Sequence, residues 1–126
     1  MISPRIREDF MDDRLSKALE HANYATTVFQ QKKILEQRFD NALMLASHGG
    51  IFKASRELIA FVDMLIQDGK NWDQIILAEK NVPIMIPDCE IFLANLKEIY
   101  TDALGEYYMD MEALRKARTV KAATGV

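Results

Sequence analysis

From Ser3-Pro4 to Ser47, apolar side chains return mainly in steps of three and four, and no proline or glycine interrupts them after Pro4. Leu15, Ala18, Leu19, Ala22, Ala25, Phe29, Leu35, Phe39, Ala42, Leu43 and Ala46 trace one stripe. That spacing belongs to the face of an α-helix, because 3.6 residues per turn bring positions three and four apart onto the same side. Serine followed by proline suits a helix start: the hydroxyl accepts from an orphan backbone donor, and proline fits the first turn. Glu8, Asp9, Asp12 and Asp13 lie early, near the positive end of the helix dipole. The pattern predicts a first helix of about 35–45 residues, roughly 50–65 Å long. The seam drifts at Lys32 and Lys33, which marks Gln30–Lys33 as the place for a kink or break.

Ser47-His48-Gly49-Gly50 reads as the stop, since glycine readily takes the left-handed conformation that ends helices. A second helix is expected from Ile51 to Asp68, closed by Gly69 and antiparallel to the first. Its core side would hold Phe52, Leu58, Ile59, Val62, Leu65 and Ile66, with Phe61 and Met64 widening the apolar arc. Ile75-Ile76-Leu77 and Val82–Ile86 then flank the polar Glu79-Lys80-Asn81, the pattern of a β-hairpin. Pro83 confines its strand to an edge or an early strand position. The alternative is a helical turn over Trp72–Leu77, with only the later segment extended. Asp88 is the expected N-cap of the last helix, and Glu90 falls in its first turn. Phe92, Leu96, Ile99, Ala103, Tyr107, Met111 and Leu114 follow at helical steps, and Arg115, Lys116 and Arg118 suit the negative end of its dipole.

These elements define a mainly α fold: a three-helix bundle with a long N-terminal helix and a small β-hairpin between helices 2 and 3. One domain is expected over residues 1–126, with 119–126 as a frayed tail. A bundle this small cannot cover so long a first helix. Its uncovered stripe predicts a homo-oligomer, most simply a two-fold dimer.

Composition narrows the class. Hydrophobic residues make up 49% of the 126 and charged residues 28%, the balance of a globular chain able to bury a core without staples. A formal net charge of -3 supplies no overall field toward nucleic acid or an anionic membrane. The single cysteine, Cys89, excludes an intrachain disulfide. The charged N-terminal stretch lacks the apolar run of a signal peptide, and no segment approaches the length of a membrane span. The expectation is a cytoplasmic protein with no membrane association.

The search for chemistry returns little. The two histidines, His21 and His48, show no metal-ligand spacing, and no Glu-x-x-His occurs. Cys89 follows Asp88 into the first turn of a helix, where a thiol's pKa can fall, yet no histidine lies near it in sequence. Gly49-Gly50 lacks the Gly-Lys-Ser/Thr ending and the preceding strand of a phosphate loop. Asp12-Asp13 and Asp110 with Glu112 read as solvated helix faces. No catalytic residue, cofactor or metal is therefore assigned. Two surfaces remain. Trp72, Tyr100, Tyr107, Tyr108 and Met111 are candidates for a partner surface, since aromatic residues and methionine are enriched at interfaces; core packing is the ordinary alternative for Tyr100, Tyr107 and Met111, which share one helix face. Arg115, Lys116, Arg118 and Lys121 are candidates for phosphate contacts, without the aromatic interleaving of a single-strand binder.

Four stretches carry a family resemblance: His48-Gly49-Gly50-Ile51-Phe52-Lys53, Asn81-Val82-Pro83-Ile84-Met85-Ile86, Glu106-Tyr107-Tyr108 and Arg115-Lys116-Ala117-Arg118. Together with the long first helix they resemble small uncharacterised helical proteins of T4-like tailed bacteriophages. The resemblance covers about half the chain and implies a phage setting, host cytoplasm, and a part in assembly or host takeover; it carries over no site residues. The reading is of a non-enzymatic protein-interaction or assembly protein, with an unidentified protein as partner. The alternatives are a nucleic-acid-associated accessory protein using the basic helix end, and an enzyme whose site forms on oligomerisation.

Overall fold

The computed structural model describes the backbone of residues 2–123 and the side chains of residues 14–20 and 25–118. The element order is α1 (Ile2–Ala42), β1 (Met44–Ser47), β2 (Gly50–Lys53), α2 (Arg56–Gln67), β3 (Trp72–Leu77), β4 (Pro83–Asp88) and α3 (Cys89–Ala123). The chain is mainly helical, with three helices and two antiparallel hairpins. It divides into two compact units. One is formed by Met1–Ile34 with Met111–Val126, the other by Leu35–Asp110.

α1 is one continuous helix of 41 residues, within the expected length and unbroken at Gln30–Lys33. It ends at Ala42, before the expected Ser47. The second expectation to fail is its neighbour: Ile51–Lys53 is strand, and α2 begins only at Arg56. The reason is the turn. His48 and Gly49 have φ of 52° and 83°, left-handed at both central positions of a two-residue loop. Such a loop has the twist that joins antiparallel strands. Gly49 is the residue that takes this conformation without steric cost. β1 and β2 pair with Leu45 opposite Phe52 and Ala46 opposite Ile51. The neck of this hairpin is closed by Ala54 N–H donating to Leu43 O at 2.7 Å.

α2 carries both of its caps. Ser55 Oγ accepts from Leu58 N–H at 3.2 Å. At the other end Gly69, with φ of 79°, donates to Ile66 O at 3.0 Å, and Lys70 N–H donates to Leu65 O at 2.8 Å. Those two crossing bonds form a Schellman motif, which satisfies carbonyls the helix leaves open. Val62 and Leu65 face inward, while Phe61 and Met64 stay more than two-fifths exposed.

The second hairpin forms where expected, and Trp72–Leu77 is strand, not a helical turn. A short 3₁₀ turn over Glu79–Asn81 joins its strands, with Lys80 and Asn81 both left-handed. α3 starts as expected: Asp88 Oδ1 accepts from Glu90 N–H at 3.0 Å and from Ile91 N–H at 3.2 Å. It runs to Ala123, past the Thr119 at which fraying was expected, and 124–126 lie outside the described residues.

Among the described residues the core lies wholly in the Leu35–Asp110 unit. Phe52, Val62, Ile76, Ile86, Cys89, Phe92 and Leu96 are its most enclosed side chains. Phe52 and Phe92 meet edge to face at 4.9 Å between centroids, a favoured aromatic geometry. Gly50 lets β2 approach the second hairpin: a Cβ there would sit 2.9 Å from Ile84 Cγ1 and 3.2 Å from Ala78 Cβ. No polar or charged residue is buried among the described residues. No helix among them is long and apolar enough to cross a membrane.

Candidate interaction surfaces

The aromatic set proposed from sequence divides in two. Tyr107 stacks on Phe39 of α1 at 4.9 Å, and Tyr100 meets the same ring edge-on at 6.3 Å. Both tyrosines are half-buried and belong to the packing of α1 on α3 inside the Leu35–Asp110 unit, where Arg38 also pairs with Asp110 at 3.3 Å. They are occupied within the chain and offer little to a partner. Met111 is likewise half-buried, beside Lys32 and Leu114 in the other unit. Tyr108 and Trp72 are the two that face outward, at 63% and 65% exposure. Tyr108 neighbours the exposed Leu104 and Met109 on α3. Trp72 stands at the start of β3, paired with Asp88, where the left-handed Asp73 (φ 53°) breaks the strand's alternation.

Two further apolar surfaces come from the fold. The first is on α1, where Leu15, Leu19, Phe29 and Ile34 are each more than half exposed. Lys33 Nζ lies over the Phe29 ring at 4.9 Å, a cation–π contact one helical turn away. The periodicity had placed Leu15, Leu19 and Phe29 on one stripe; the coordinates leave that stripe uncovered. The second surface is the outer face of the β3–β4 hairpin, built from Ile75, Leu77, Pro83 and Met85. Alternation puts Ile76 and Ile86 into the core and these four outward. Two apolar runs in the sequence do not say which of their alternating faces the rest of the chain covers.

The basic set gathers more than its own helix supplies. Lys32 of α1 borders a small pocket with Arg115 and Arg118 of α3, all in the unit that contains the helix ends. Arg115 also pairs with Glu112 one turn earlier. Lys116 is exposed, and the Lys121 side chain lies outside the described residues.

Candidates for reaction chemistry stay apart. Cys89 is fully buried, and burial pushes its thiol up from the ordinary 9.0; a backbone hydrogen bond from Gln74 works against this, and Asp88 and Asp73 add to it. A thiol held protonated is a poor nucleophile. His48 shares a 2.6 Å hydrogen bond with Ser47 at the exposed hairpin tip, and the His21 side chain lies outside the described residues. Among the described residues no group of three His, Cys, Asp or Glu could hold a metal ion. An open cleft of about 330 Å³ between α2 and α3 is lined by Arg56, Asp63, Lys97 and Tyr100, without histidine or cysteine. No protein family, curated protein or solved structure matches the chain.

Proposed function

We propose that this is a non-enzymatic protein-interaction or assembly protein that works as a homo-oligomer and binds a protein partner along α1. One observation carries the reading: Leu15, Leu19, Phe29 and Ile34 stand more than half exposed on a single helix. No described side chain of their unit is buried. Where no described apolar side chain is fully buried, packing adds little to a helix, although packing is what normally stabilises helices in proteins. A partner helix laid on Leu15, Leu19 and Phe29, which helix geometry sets within about 80° of one another, supplies that packing.

The test is a photo-crosslinking residue placed at Leu19 or Phe29 in the producing cell, with Glu20, off the stripe, as control. The expected result is one discrete crosslinked protein from the stripe positions and none from the control. Equal background labelling at all three positions would refute the reading.

The convergence of Lys32 with Arg115 and Arg118 favours one second reading, a nucleic-acid-associated accessory protein. Each phosphate contact adds to the salt dependence of binding. That reading predicts a DNA or RNA mobility shift that weakens with salt and is lost in the Arg115→Ala/Arg118→Ala variant.

A further inference from the structure

The β3–β4 hairpin has two open edges, and they are not equivalent. Ala78 N–H donates to Val82 O at 2.8 Å, which sets the phase of the ladder. Hydrogen-bonded and non-hydrogen-bonded pairs alternate in an antiparallel ribbon. With Ile76 opposite Ile84, Ile75 opposite Met85 and Leu77 opposite Pro83, the Ile76 pair is hydrogen-bonded and its two neighbours are not. The N–H and C=O groups of Ile75 and Leu77 therefore point away from β4. Among the described residues they meet no backbone group of another element. On the far edge, Pro83 at the matching position has no N–H to offer. β4 is thus guarded by proline in the way natural edge strands are, while β3 is bare and carries the exposed Ile75 and Leu77.

The geometry points to β3 as the seam of a two-fold dimer, in which β3 of one copy pairs antiparallel with β3 of a second. This rests on the reading of the chain as a homo-oligomer and says where its copies meet. Turning β3 about a dyad at Ile76 sets Ile75 opposite Leu77 of the second copy, and Leu77 opposite its Ile75. Both are then hydrogen-bonded pairs that use the free groups of each strand. The strand is its own complement, as an isologous interface requires.

No ionisable side chain lies within Gln74–Leu77, so two copies meet there without like-charge repulsion. The acids Asp73 and Glu79 bracket that stretch, which confines the pairing to it and makes the dimer tighter at higher salt. The product is a four-stranded sheet with β4 at both outer edges. Pro83 stands on each of those edges, so growth stops at two copies.

The test uses the full chain in sedimentation and in hydrogen exchange. The expected result is a dimer in the micromolar range, with Ile75 and Leu77 amides that gain protection as concentration rises while Met85 N–H stays fast. Ile75→Pro should give a monomer, because it removes a seam donor that the hairpin itself does not use. Far-UV circular dichroism unchanged from the parent checks its fold. Leu15→Gln/Leu19→Gln should remain dimeric, which separates this seam from the α1 stripe. A chain that is monomeric throughout, a dimer whose Ile75 and Leu77 amides stay fast, or open-ended polymer in place of dimer would each overturn it.

Discussion

The two units of this chain keep their helices by different means. In Leu35–Asp110, α2 is capped at both ends, and Phe52, Val62, Phe92 and Leu96 enclose one another. In the unit of the helix ends, no described side chain is fully buried: Val28, Met111 and Leu114 are half-buried, while Leu15, Leu19, Phe29 and Ile34 stay more than half exposed. The sequence pattern is similar in both, with apolar residues at steps of three and four. Periodicity therefore marks which side of a helix is able to bury, and not whether anything covers it. The same contrast recurs inside the second hairpin, where Ile76 is 1% exposed and its neighbour Ile75 is 64% exposed. Two isoleucines one position apart take opposite surroundings because strand side chains alternate.

Substitutions should separate the two regimes. Phe52→Ala or Phe92→Ala empties the most enclosed part of the core, and should cost about 3–5 kcal/mol in urea unfolding. Leu15→Ala or Phe29→Ala in the Met1–Ile34 part of α1 should cost within about 0.5 kcal/mol of nothing by the same measurement. A large loss at Leu15 would mean that the chain covers its own stripe.

Gly50→Val comes next. The added side chain would press on Ile84 and Ala78, and a loss of about 1–3 kcal/mol is expected. Asp88→Ala removes the acceptor for Glu90 and Ile91 N–H and should cost about 1 kcal/mol.

The smallest effect concerns Cys89. Its thiol should react slowly with a maleimide at neutral pH and rapidly only in denaturant. Because burial raises its pKa, the folded chain holds this proton more tightly than the unfolded one. Its contribution to stability is then complete below pH 9.0 and declines as pH climbs from there toward the raised value. Stability that rose with pH across that window would contradict the assignment.

Much of this was legible residue by residue. Asp88 before an apolar helical pattern announced the cap of α3, and Gly69 after Ile66 announced the end of α2. The first hairpin was missed because Met44–Ser47 continues the helical spacing of α1, while His48-Gly49 reads equally as a helix stop. The signal that could have found it was the two-residue spacing of a turn between Met44-Leu45-Ala46-Ser47 and Gly50-Ile51-Phe52-Lys53. The shared helical face of Tyr100 and Tyr107 is visible in the sequence and leaves both core packing and a partner surface open; the ring of Phe39 that occupies it is not visible there. Lys32 joining Arg115 and Arg118 was equally out of reach, since those residues are far apart along the chain.

Local chemistry in the chain was enough to decide that a long helix opens the chain, the cap of α3, the end of α2 and the second hairpin with its polar turn. Backbone donors, φ preferences and side-chain spacing act over a few residues, and the order of residues contains them. Tertiary structure alone decided which apolar side chains were enclosed, which tyrosines were already occupied, and which strand edge stayed bare. Burial and pairing depend on what another part of the chain brings alongside, and no local pattern carries that information.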